Sequence, residues 1–314
     1  MRIQLSAPHK HLGLNIEQLE VNGHRLRCDW SRGQVEAMIG FWEFTDEFLS
    51  YHGPKVFYCC EPSFYFDGFR ASKRLLRSRL SSLRTDEFAW HYHDAKAMRV
   101  EHHTGSVLPR DFSGARVKRA AVVIGNLGHP LARNPGRQRR LEFILESGCD
   151  IYGSSANWTT FRRHPWNRKG APPTYRGPCD SKLDTLRHYQ VCVCFENSSE
   201  PLYFTEKFPD AVRAGCVPIY HAHSSVKEQY LEGAVWVDPA DFDWDTSATM
   251  ESAFSLTRED VAEQNRNWMD TNAAFGATLL EAVYERLTGL LDAKAHGRLV
   301  NTSPAVRERL KDEY

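Results

Sequence analysis

Short apolar runs bounded by polar turns recur along the chain, and their alternation with helix-like stretches predicts a parallel α/β architecture. Arg2–Ala7 predicts an opening strand, and a helix is expected around Gln34–Tyr51. Lys55–Cys60 reads as a strand running into Glu61-Pro62-Ser63. A basic helix is predicted over Arg70–Arg84, with Leu75, Leu76, Leu80 and Leu83 on one face, and Phe88–His93 alternates as a strand does. Arg119–Gly125 opens a second series. A helix at Arg137–Glu146, strands at Cys149–Gly153 and Tyr189–Phe195, a helix at Glu206–Ala214 and a strand at Cys216–Tyr220 complete it. Ser154–Asp180, rich in Gly, Pro, Arg, Asn and Trp and without periodicity, reads as a functional loop in which Trp158 and Trp166 stack on a ligand or anchor the loop. Later come a helix capped by Ser224 or Ser225 and running to Leu231, a strand at Ala234–Val237, and helices at Asp260–Asp270 and Ala273–Leu291. The polar tail from Lys294 onward is expected to be loosely held.

Polar chemistry concentrates between two of these strands. Phe195-Glu196-Asn197-Ser198-Ser199, then Tyr203, then Thr205-Glu206-Lys207, lead to Ala214-Gly215-Cys216-Val217-Pro218-Ile219-Tyr220. This is one βαβ unit, and ligands of open parallel sheets bind beyond the carboxyl ends of the strands. Thr205 is expected to cap the helix with its hydroxyl, and Glu206 to meet its positive end. Phe208, Ala211, Val212 and Ala214 form the apolar side, and Gly215 suits the left-handed position at the helix end. Lys207 at a helix start opposes the helix dipole unless an anion sits there. The alternative is a pair of solvated charges.

This block resembles glycosyltransferase family ten, the α1,3/4-fucosyltransferases. The likeness rests on Phe-Glu-Asn-Ser at 195–198, on Tyr203 with Thr205-Glu206-Lys207, and on Ala214-Gly215 before Val217-Pro218. Lys182, Leu186 and Tyr189 repeat the family's Lys-x3-Leu-x2-Tyr lead-in. The resemblance is densest over residues 120–245. It implies a GT-B fold of two facing Rossmann-like domains with a cleft between them. Residues 1–115 would bind the acceptor, 116–292 the nucleotide sugar, and 293–314 form a tail. It further implies inverting, metal-independent transfer of fucose from GDP-fucose to a glycan hydroxyl, forming an α1,3 linkage. Glu61 would be the catalytic base, although Glu61-Pro62-Ser63 is one residue shorter than the family's Glu-x-Pro-Ser; Glu87 and Asp94 are the substitutes. Arg140, three residues before Phe143, or Arg137, would meet the diphosphate. Asn126, Lys182, Glu196, Asn197, Tyr203, Glu206 and Lys207 complete the expected donor set, with Glu206 and Asn197 on hydroxyls and Lys207 beside the departing GDP. The alternatives are a transferase of the same fold using another nucleotide sugar, and a non-catalytic glycan-binding protein.

Composition narrows the partners. With 314 residues the chain is long enough for two domains, and equal numbers of basic and acidic residues leave no net field to draw nucleic acid or a membrane. No apolar stretch reaches the ~18 residues of a membrane span. The first residues lack the apolar centre of a signal peptide; since animal and plant members of the family it resembles usually carry a membrane anchor and stem, the resemblance implies a bacterial-type cytoplasmic enzyme or a trimmed chain. The 8 cysteines form no Cys-x2-Cys pair, so a reducing compartment is expected and zinc is not. The sequons at Asn157, Asn197 and Asn301 are then chance matches. The pairs His91/His93, His102/His103 and His221/His223 have ligand-like spacing but no Asp-x-Asp clamp beside them. No metal and no cofactor are expected; the partners are GDP-fucose and an oligosaccharide acceptor.

Overall fold

The structure is a computed structural model. It describes the strands within residues 2–92 by their backbone, and residues 117–124, 136–153, 171–196, 199 and 203–271 of the later chain. The contacts divide the chain into two compact units, one of residues 1–61, 66–102 and 277–314, the other of residues 62–65 and 103–276.

In the first unit six strands form one sheet: β1 (Arg2–Ser6), β2 (Leu19–Val21), β3 (His24–Cys28), β4 (Ala37–Phe41), β5 (Lys55–Cys59) and β6 (Phe88–Tyr92), in the order β2-β3-β1-β4-β5-β6. All neighbours are parallel except β2 and β3, which pair antiparallel with Val21 opposite His24. The two residues between them are Asn22-Gly23, the pair that best supports a two-residue hairpin turn. The helix expected around Gln34–Tyr51 is corrected: Ala37–Phe41 is a strand between β1 and β5. A central parallel strand is apolar on both faces, so it lacks the alternation that separates strand from helix. The helices expected at Arg70–Arg84 and Ala273–Leu291 lie outside the described residues, as do Trp158, Trp166 and the tail.

The second unit is wound on an all-parallel sheet. Its strands are β7 (Val117–Val123), β8 (Asp150–Tyr152), β9 (Tyr175–Gly177), β10 (Tyr189–Val193) and β11 (Val217–Ile219), in the order β11-β10-β7-β8-β9. Helices α1 (Arg137–Glu146), α2 (Lys182–Leu186) and α3 (Lys207–Arg213) fall between strands, and α4 (Ser224–Tyr230), α5 (Thr246–Ser255) and α6 (Arg258–Thr271) follow. Strand β9 lies inside the stretch expected to be a loop; as an edge strand of three residues it is too short to show a period. Ala234–Val237 contributes one bridge, Val237 to Ile219, where a strand was expected. Helix α4 is capped by His223, whose Nδ1 accepts from the Ser225 N–H, in place of the expected serine.

The core fills the space between sheet and helices. Val191, Val193, Val217 and Ile219 meet Phe143 and Ile144 of α1, Ala253 of α5 and Val261 of α6. Phe208 of α3 is fully buried, with its ring edge-on to Tyr220 at 5.0 Å and to Trp268 at 5.3 Å. These contacts hold α3 by its apolar side and direct its first turn to the carboxyl edge of the sheet.

Candidate active site

The strand order sets the location. From β7 the chain moves outward through β8 to β9, then returns to the other side of β7 for β10 and β11. The direction of winding reverses between β7 and β10, and a crevice opens at the carboxyl ends of strands on either side of such a point. The segment leaving β10 is Cys194-Phe195-Glu196, and α1, which follows β7, carries Arg140.

Glu196 closes the polar loop on itself. Its buried carboxylate accepts from the Thr205 N–H at 2.7 Å, the Thr205 hydroxyl at 2.6 Å and the Tyr220 hydroxyl at 2.9 Å. One side chain thus ties the first residue of the loop to its last and to the end of β11. Burial raises the Glu196 carboxyl above its ordinary range, with Lys207 acting against it. The expected cap is therefore corrected. Glu206 occupies the N-cap of α3 without a side-chain cap bond, and the Thr205 hydroxyl is spent on Glu196. Local sequence favours a threonine cap, but a buried carboxylate needs donors more than an open helix end does.

Around this knot the charges alternate. Lys207 Nζ donates to Thr205 Oγ1 at 2.9 Å and lies 3.5 Å from Glu196 Oε2 and 3.6 Å from Glu206 Oε1. Lys182 Nζ is 3.7 Å from the same Glu206 oxygen and 2.8 Å from Asp210 Oδ2; Arg213 stands 3.7 Å from Asp210 on its other side. Burial works to raise the Glu206 carboxyl, but Lys207 and Lys182 overcome it and hold it down at about 2. Glu206 is thus a fixed anion, with a side chain 33% exposed, between two fixed cations.

Of the expected donor residues, the structure gathers Lys182, Glu196, Tyr203, Glu206 and Lys207 into one neighbourhood. Tyr203 is 1% exposed, as buried as Glu196 at 2%. Arg140 is 4% exposed, and its Nη1 donates to Ser199 Oγ at 3.0 Å, which joins α1 to the loop after β10. Arg137 begins α1, with its side chain outside the described residues. Glu61, Asn126 and Asn197 lie outside them altogether.

Two residues of this neighbourhood escape sequence reasoning. Asp210 reads as a polar position on a short helix yet is fully buried beside Lys182. Tyr220 reads as the end of an apolar strand yet donates to Glu196. A four-residue spacing from Glu206 to Asp210, one helical turn, was the available signal for the first; the second had none. Next along the edge, His221 Nδ1 meets Asp238 Oδ1 at 2.9 Å, Lys227 also pairs with Asp238, and the His221 ring stands edge-on to Trp244 at 4.9 Å. Among the described residues, no group of three or more His, Cys, Asp or Glu side chains is arranged to hold a metal ion. Cys149, Cys179, Cys192, Cys194 and Cys216 are free thiols.

No family model matches the chain, and no curated protein matches it. Solved structures do. An α1,3-fucosyltransferase is 14% identical over 93% of this chain and 89% of its own, with a TM-score of 0.52. An α1,3-fucosyltransferase with GDP is 12% identical over the same shares, at 0.48. The glycosyltransferase SnogD from Streptomyces nogalater is 12% identical over 81% of this chain and 72% of its own, at 0.36. The first likeness defines the fold: this is an α/β chain of the GT-B class, similar in structure to α1,3-fucosyltransferase.

Proposed function

We propose that this chain is an inverting fucosyltransferase that moves fucose from GDP-fucose to a glycan hydroxyl as an α1,3 linkage, without a metal. The observation that carries the reading is the fixed pair Glu206 and Lys207 at the start of α3, beside the point where the winding reverses. An ammonium held at a helix start, with the N–H groups of the first turn, suits a diphosphate. A carboxylate held at about 2 stays ionised and accepts from sugar hydroxyls across the working pH range. The fold of an α1,3-fucosyltransferase and the residues shared with that family favour fucose over another sugar.

In this reading Lys207 and Arg140 meet the negative charge that develops on the departing GDP, a contact whose removal typically costs about 3–4 kcal/mol of barrier. Glu206 and Asn197 hold ribose or fucose hydroxyls, and Asn126 lines the donor site. Glu61 takes the proton of the acceptor hydroxyl as its oxygen attacks the anomeric carbon. The carbon–oxygen bond to GDP breaks in the same displacement, so the β-linked donor gives an α-linked product.

The test is transfer from labelled GDP-fucose to a glycan array, run beside other nucleotide sugars. Fucosylated product from GDP-fucose alone is the expected result; product from another donor, or binding without turnover, would replace the reading. Glu61→Ala should reduce turnover at least ~100-fold, the usual weight of a general base, with GDP affinity retained. Unchanged turnover would remove Glu61 from that role.

A further inference from the structure

Lys182 shares one end of the site with Lys207, but its surroundings differ. It opens α2, its side chain is 18% exposed, and its ammonium is 2.8 Å from the carboxylate of Asp210, which is fully buried in α3. A buried carboxylate without a cation is costly, so Asp210 fixes where the Lys182 ammonium must sit. From there the ammonium reaches Glu206 Oε1 at 3.7 Å, on the opposite flank from Lys207 at 3.6 Å. Burial alone would lower the Lys182 amine, but Asp210 and Glu206 raise it, so the cation is secure at neutral pH.

We propose that Lys182 is a positioning residue, locked by Asp210, whose ammonium fixes the Glu206 carboxylate at the mouth of the site without touching the donor. Three acids and three bases then alternate across α2, α3 and the end of β10: Arg213, Asp210, Lys182, Glu206, Lys207, Glu196. Glu206, the most exposed of the three acids, is the one left to serve a ligand. Among the described residues, the charged and hydroxyl groups that act on it are Lys182 from α2, Lys207 from α3, Glu196 from the end of β10 and Thr205. The inference rests on the donor site proposed above only for what Glu206 binds.

Two measurements on the full chain test it, with Glu206→Gln to assign the Glu206 signal. Lys182→Met combined with Asp210→Asn removes both members of the buried pair, together with the 3.7 Å contact of Asp210 with Arg213; Lys182→Arg keeps the cation. Carboxylate titration by ¹³C NMR should show the Glu206 midpoint rising in the double variant and staying low in Lys182→Arg. A midpoint in the double variant equal to that of the parent overturns the proposal. Calorimetry with GDP at neutral pH should show affinity falling about tenfold in the double variant, the size of one charge-assisted contact, and recovering in Lys182→Arg. If Lys182→Arg restores the titration but not GDP binding, Lys182 touches the donor directly and the proposal fails. If the parent binds no GDP, the proposed function fails, and the titration still decides the role of Lys182.

Discussion

At the residue scale, Glu206 shows how a half-exposed carboxylate can be fixed as an anion. Its folded pKa of about 2 lies below the ordinary 4.5, so the folded state binds its proton less readily than the unfolded chain. The sign of the linkage follows: the contribution to stability is present above about 4.5 and is lost as pH falls toward 2. Glu206→Gln should therefore flatten the acid side of the stability–pH profile in that window, as read by urea unfolding at successive pH values. An unchanged profile would show that the two lysines do not hold the charge. Glu196 is the contrasting case. With three donors satisfied and no exposure, it has a structural task, and Glu196→Ala would leave the Thr205 and Tyr220 groups buried without an acceptor. A loss of about 2–4 kcal/mol in unfolding free energy is expected. The family resemblance places Glu196 and Glu206 together in the expected donor set. Their division of labour depends on which one the sheet buries.

At the scale of elements, the segment after α4 illustrates how tertiary contacts replace regular pairing. The expected strand at Ala234–Val237 makes only one bridge, and its backbone is met instead by a side chain from α6. The Val235 N–H donates to Asn265 Oδ1 at 2.7 Å, and Asn265 Nδ2 donates to the Val235 carbonyl at 2.9 Å. Asn265 is fully buried. Asn265→Ala should cost about 2–3 kcal/mol by leaving both groups without a partner, lowering the denaturant midpoint with the m-value unchanged. The turn that ends α3 was legible in the sequence, because Gly215 has a positive φ of 67°, which few other residues adopt cheaply. Helix α3 was legible too, since Phe208, Ala211, Val212 and Ala214 form its buried side. Its cap was not, because the Thr205 hydroxyl answers to Glu196 nine residues back. Helix α5 was missed; its N-cap is Asp245, whose carboxylate accepts from the Ala248 N–H.

At the scale of the molecule, diphosphate charge is answered by Lys207 and Arg140 in the proposed mechanism. Transfer should therefore survive a strong chelator with less than about a twofold loss of rate; loss restored by added metal would reverse that part of the reading. No helix among the described residues is long and apolar enough to cross a membrane. Alternation of strands and helices, with their apolar faces, determined the α/β class, because burial of periodic apolar positions is a local property of the chain. The order of motifs from Lys182 to Tyr220 determined where the candidate chemistry lies along it. Only the tertiary structure decided that β10 returns beside β7, which reverses the winding, since strand order depends on packing between segments far apart in sequence. It alone decided that Asp210 is buried beside Lys182. Charge type is written in the sequence, but whether a charge faces water, a ligand or its opposite is set by which elements the fold brings together.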